Sequence, residues 1–389
     1  MSGLLLKLSL YSAIFNIAVT PFSSGVARIF GYTTILFFVA SVLTPFVLTK
    51  KGTISRTNIS LVFLIALTFL CSCHELIGKS FGNIIDLVLP ILSFVTFYIA
   101  LEQKKQKNSK ITLMEIFYAN YVLCFILMIF AFGPFDFKYQ VVNKYEDAIF
   151  TLGLGNPNAV SLCVMFCVIL LFIQICTISN VYVKVVNILL SAVLFYILYL
   201  LSSRTVLFCA IIVAIAFLIK APKAFKAISY FVVLVPLIMI GVHLRLLDSD
   251  DITLQILGKS ISTGRPEMYR KFLDEIQTFP IRALTGNLCG YGFENLHNGL
   301  LAIFASLGVF GVLLYVTFWN RQLTILRKVC VDRKQKIAFA AILAILVHAS
   351  SEAMGIVGTI PYSVFVVIIM KIAKGEIETN YDRITEDRI

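Results

Sequence analysis

The chain has 389 residues, of which 59% are hydrophobic and 14% charged, and its formal charge is +12. Soluble domains hold about 25% charged and about 45–50% apolar residues. The composition therefore excludes a disordered chain, a disulfide scaffold and an ordinary cytosolic enzyme. Mean hydropathy is +0.92. The apolar residues come in runs of roughly 15 to 22, the pattern of a polytopic helical membrane protein and not of a β-barrel.

About twelve transmembrane helices are predicted, at 4–20, 32–48, 59–73, 83–101, 112–132, 157–178, 185–201, 203–219, 227–243, 298–319, 337–349 and 359–373. No small-residue cleavage site follows the first run, so it is expected to remain as a span. The stretch 185–219 as one helix measures about 50 Å, too long for one crossing, so it turns back near Ser202-Ser203-Arg204. Residues 1–389 thus read as one integral membrane domain, all-α, with 374–389 as a cytoplasmic tail.

Sidedness follows from the basic residues. With the N-terminus in the cytoplasm, most of the 33 Lys and Arg fall on inner loops: Lys50, Lys51 and Arg56, then Lys104 to Lys110, and above all 320–336 with Arg321, Arg327, Lys328, Arg333, Lys334 and Lys336. The charge is a topology signal, and nothing remains to argue for nucleic acid. The nine cysteines form no framework, and most lie in or beside apolar runs, where cysteine acts as a small hydrophobe.

Two outer loops are long, 133–156 and 244–297, and loops of that length usually carry function. In the second, Thr263-Gly264-Arg265-Pro266 reads as a helix start. Met268, Phe272, Ile276 and Phe279 recur at helical spacing, while Glu267, Arg270, Lys271, Asp274 and Glu275 face away. An amphipathic helix over about 264–279 is expected at the membrane surface. Gly286, Gly290 and Gly292 then mark a flexible strand-like turn.

Three outer residues attract attention. Arg204 lies in a hairpin against the positive-inside trend, Arg265 sits at a helix N-terminus, and His297 opens the tenth span beside Asn298. Each has a bland reading: a snorkelling arginine, a loop arginine and a polar cap. Together they offer two cations and a base on one side of the membrane. A diphosphate calls for arginine forks, and an acceptor hydroxyl calls for a base near neutral pH. Other clusters are weaker. Asp248-Ser249-Asp250-Asp251 contains a D-x-D pattern but sits where chains commonly leave a membrane. Cys71-Ser72-Cys73-His74-Glu75 lacks a second ligand pair at zinc-site spacing. His348 and Glu352, four apart near the outer end of span eleven, either border the same cavity or pair with each other. Glu115 and Asp86 fall near span ends, and no charge relay crosses the membrane interior.

Four pieces then resemble a known superfamily: Gly155-Asn156-Pro157-Asn158 opening a span, Ser203-Arg204-Thr205, and Thr263-Gly264-Arg265 with Tyr269. The fourth is Gly290-Tyr291-Gly292 followed by His297-Asn298, Gly308 and Gly311. Their order and sidedness resemble the bacterial O-antigen polymerase and O-antigen ligase superfamily. The resemblance implies a GT-C-like glycosyltransferase of the bacterial inner membrane, working on its outer face. It implies a glycan donor and acceptor linked to undecaprenyl diphosphate, surrounding membrane lipids, a chain-length regulator as a further partner, and neither metal nor cofactor. Carried over residue by residue, Arg204 and Arg265 hold the diphosphate and His297 acts on the acceptor hydroxyl. Asn158, Tyr269, Arg270, Asn298, His348 and Glu352 are expected to contact substrate. Polymerase is favoured over ligase because Asn295 stands where many ligases carry a second histidine, two residues before His297. A lipid-linked glycan flippase is the alternative of a different class, and it lacks the mid-span polar residues a transporter needs.

Overall fold

The computed structural model describes residues 2–49, 56–75, 81–102, 111–141, 148–218, 222–247, 255–256, 259–260, 265–286, 296–352 and 360–377. Helix dominates, with α1 Ser2–Val19, α2 Ser24–Thr49, α3 Arg56–Glu75, α4 Phe81–Glu102, α5 Leu113–Phe132, α6 Pro157–Thr177, α7 Val181–Leu200 and α8 Arg204–Leu218. The second half holds α9 Pro222–Phe231, α10 Val235–Leu247, α11 Arg265–Thr278, α12 Ile281–Thr285, α13 Gly299–Val329, α14 Arg333–Ala349 and α15 Ile360–Ala373. Helix is present over each of the twelve apolar runs. Among the described residues, 6 helices are long and apolar enough to cross a membrane.

α6 is the centre. It is buried all round from Val160 to Ile175, as a helix without a polar face must be. α5, α7, α8, α14 and α15 pack around it. α7 instead leaves Val185, Ile188, Leu189 and Tyr196 exposed, an apolar outer face that suits lipid. The predicted fold-back at 202–204 is present, with Ser202 in the left-handed region (φ 53°) between α7 and α8.

Side-chain contacts sort the helix ends into two groups. At one end Lys7 pairs with Glu115 at 2.5 Å, and Glu115 also closes a capping box with Thr112, which accounts for this acid structurally. Arg333 donates to the Phe217 carbonyl, Arg327 stacks on Tyr230, and buried Lys371 pairs with Glu376 at 2.6 Å. The N-termini of α6, α8 and α13 and the C-terminus of α14 lie at the opposite end.

Two apolar runs are not simple helices. The ninth breaks between α9 and α10 at a 3₁₀ turn, Val232–Leu234. Pro236 supplies the cause, since it has no N–H to donate to Val232 and its ring crowds that carbonyl. The tenth breaks at Gly308, whose φ of 65° and ψ of −163° belong to a region open essentially to glycine alone. A Cβ placed on Gly311 would lie 3.3 Å from Ile303 Cγ2. A straight helix would separate these residues by about 12 Å. Residues 299–307 therefore do not continue the axis of 309–329. The span expected at 298–319 thus forms as two helical segments joined at Gly308.

The long loops are ordered where described. Tyr139–Val141 (β1) and Ala148–Phe150 (β2) pair antiparallel, beside a cluster of Phe22, Phe130, Phe135 and Phe137. Gln255–Ile256 (β3) and Lys259–Ser260 (β4) form a second small hairpin. α11 forms close to the expected bounds. Its Phe272, with Met268 and Ile276, packs on Leu296, Leu301, Phe304 and Ala305. Phe279 lies beyond the helix end, half-exposed, under the Arg282 guanidinium at 4.2 Å.

Candidate functional site

Four polar side chains meet at the end opposite the lysine-rich one. Asn156 caps α6 through Asn158 N–H, with Pro157 in the first helical position, a standard way to start a helix. That start points Asn158 across the bundle. Its Nδ2 donates to Glu352 Oε1 at 2.7 Å. Its Oδ1 accepts from Ser203 Oγ at 2.8 Å. Ser203 precedes α8, and its carbonyl accepts the Leu207 N–H as a helix start requires, while its hydroxyl goes to Asn158.

Glu352 follows the end of α14 and is 6% exposed. Its Oε2 lies 3.1 Å from His297 Nδ1. The His297 side chain is 22% exposed against 7% for Glu352, so the imidazole is the accessible end of the pair. Leu152, Ser202 and His297 are the non-glycine residues with left-handed backbone among those described (φ 54°, 53° and 48°). Each lies shortly before one of the helix starts that build this site. Such conformations cost on the order of 1–3 kcal/mol and persist only where surrounding structure holds them.

At His297 the neighbouring Asn298 does that holding. It is fully buried. Its Nδ2 donates to the carbonyls of Pro236 and Ser350 at 3.2 and 3.1 Å. Its Oδ1 accepts the N–H groups of Leu300 and Leu301. An amide has two donors and one two-lone-pair acceptor, so nothing is left for a substrate. Asn298 is thus a cap that ties the start of α13 to Ser350, just after α14, and to Pro236 in the first turn of α10.

Arg204 opens α8 half-buried, next to Ser203. Arg265 opens α11, but its side chain lies outside the described residues. Arg270 is exposed on the polar face of α11, whereas Tyr269 is 1% exposed. His348 is also fully buried. The Glu352 carboxylate meets His297 and Asn158. Gly290-Tyr291-Gly292, Asn295 and Asp248 to Asp251 fall outside the described residues, as do the side chains of Cys71 to Glu75 and Asp86. Among the described residues no group of three His, Cys, Asp or Glu side chains is placed to hold a metal.

The sequence reading missed the joining of Asn158, Ser203 and Glu352. Asn158 and Glu352 are 194 positions apart, and no local spacing signals their meeting. Compared with known proteins, the chain matches no family model, no curated protein and no solved structure.

Proposed function

We propose that this chain is a membrane glycosyltransferase that polymerises oligosaccharide repeat units carried on undecaprenyl diphosphate, with twelve spans in a GT-C-like arrangement. The observation that carries the reading is the His297–Glu352 pair at the end away from the lysine-rich helix termini. We read that basic end as cytoplasmic by the positive-inside trend, and on this reading the pair faces outward from a bacterial inner membrane. The product is a surface polysaccharide such as O-antigen or capsule.

The chemistry balances with the residues present. The acceptor hydroxyl attacks the anomeric carbon of the donor glycan and loses its proton to His297. The bond from that carbon to the diphosphate oxygen breaks, and undecaprenyl diphosphate leaves with the electron pair. Arg204, with Arg265, meets the charge that grows on the leaving group, where fixed cations lower the barrier most. Glu352 faces the imidazolium that forms.

The test is His297→Asn in purified protein supplied with lipid-linked repeat units. Loss of a general base costs about 10²–10⁴-fold, so polymer formation should collapse while membrane abundance holds. Normal polymer from the variant removes the reading. In cells lacking the chain, single repeat units on the lipid A core mark a polymerase. Polymer accumulating on undecaprenyl diphosphate beside a bare core marks a ligase instead.

A further inference from the structure

The hydrogen bonds that link Ser203 to His297 converge on the Glu352 carboxylate from both sides. A carboxylate only accepts, so the Asn158 group facing Glu352 Oε1 is the amide nitrogen. The amide oxygen then faces Ser203, and the hydroxyl must donate to it. The other carboxylate oxygen faces His297 Nδ1 at 3.1 Å and requires a donor there as well. A neutral imidazole has one N–H. With that hydrogen on Nδ1, the lone pair is on Nε2.

We infer that Asn158, backed by Ser203, is a positioning residue that acts through Glu352 to hold His297 in its Nδ1–H tautomer, making Nε2 the atom that takes the acceptor proton. The inference deepens the proposed function and rests on its reading of His297 as the base. It also gives Asn158 a role other than the substrate contact expected from sequence.

The burial pattern supports it. Ser203 and Glu352 are 5% and 6% exposed, so water competes little for their bonds. Each carboxylate oxygen has its own donor, one from α6 and one from the start of α13. Without the Asn158 donor, Oε1 loses a hydrogen bond in a buried site, and the carboxylate is held less firmly against His297. The hairpin that carries Arg204 also carries Ser203, so the diphosphate cation and the far end of this chain share one frame.

The experiment uses the full chain in lipid nanodiscs, labelled with ¹⁵N-histidine and examined by solid-state NMR. Four histidines are present, and the His297 signals are those lost in His297→Gln. Neutral His297 should show a protonated Nδ1 and a bare Nε2. In Asn158→Leu, close in shape without the amide, the Nε2–H tautomer should appear. Transfer should fall about tenfold or more in kcat with little change in KM, the scale of a charge-assisted hydrogen bond. Ser203→Ala, which removes only the outermost donor, should move both readouts in the same direction and less far, and it serves if Asn158→Leu does not fold. An Nε2–H tautomer in the unmodified protein overturns the inference, as does an unchanged tautomer in folded variants. Glycosyl transfer together with that wrong tautomer leaves the proposed function standing. The expected tautomer in a protein with no transfer activity removes the function and keeps the hydrogen-bond polarity.

Discussion

A Cβ added to Gly311 would meet Ile303 Cγ2 at 3.3 Å, although the two residues are eight positions apart within a single apolar run. The approach is close because Gly308 turns the backbone where no side chain is tolerated. A Cβ on Gly308 would overlap the Leu284 carbonyl, and one on Gly286 (φ 73°) would overlap the Ser306 carbonyl. α12 is thereby seated on the break. Irregular backbone at a helix break is tolerated in membrane proteins where it is covered by protein, and the segment Ile281–Gly286 provides the cover.

Gly308→Ala should therefore destabilise the protein strongly. Backbone strain of about 1–3 kcal/mol adds to overpacking of about 1–3 kcal/mol. Gly241→Ala is the contrast. It lies in α10 with nothing within 4 Å of the added methyl, so it should be neutral or gain up to about 1 kcal/mol. Thermal unfolding in detergent compares them, and equal midpoints would mean that Gly308 is not a required break.

Hydropathy made most of the helices legible because a crossing helix must be apolar along its whole length. It did not show the break at Gly308, since glycine is common in membrane helices that stay straight. His297 and Asn298 stood out as a polar pair opening an apolar run. Their division of labour did not, because the same asparagine chemistry serves a cap and a ligand site. Glu352 was noticed through its four-residue spacing from His348, yet that spacing pairs side chains only within a helix. α14 ends at Ala349, which frees the Glu352 carboxylate to turn toward α6 and α13.

A diphosphate clamp needs the planar fork of arginine and not charge alone. Arg204→Lys should reduce polymer synthesis by about 10²-fold, the scale of one lost transition-state donor. Arg282 is a poor comparison, being engaged with Glu275 and stacked on Phe279. Arg245, exposed near the end of α10, is a better one, and Arg245→Lys should be close to silent. Equal polymer from both variants at equal abundance would end the clamp role for Arg204.

Sidedness is tested with single cysteines in a chain whose nine native cysteines are replaced. Lys271 on α11 and Lys328 near the end of α13 are both exposed. Lys271→Cys should react with an impermeant thiol reagent in intact spheroplasts. Lys328→Cys should react only after permeabilisation. The reverse pattern would place the His297–Glu352 pair in the cytoplasm, where a lipid-linked glycan already flipped outward is out of reach.

Asn298 gives a prediction with an unusual sign. At an exposed helix start Asn and Asp cap equally well, so Asn298→Asp would ordinarily be harmless. Here the Oδ1 contacts to Leu300 and Leu301 survive the change, but the two donors do not. The new oxygen faces the carbonyls of Pro236 and Ser350, three acceptors together in a buried site. Each buried group left unsatisfied costs about 1–3 kcal/mol. Asn298→Asp should thus lower stability by about 2–6 kcal/mol at neutral pH. The loss should shrink in acid, because a protonated carboxyl can donate one of the two missing bonds. Asn298→Ala forfeits the cap as well but brings no charge, so its deficit should not respond to acid in this way. Unfolding midpoints measured across pH for both variants against the parent separate the cases. An Asp variant as stable as the parent at neutral pH would show that Asn298 caps α13 without tying it to α14, and His297 would then owe its left-handed backbone to some other restraint.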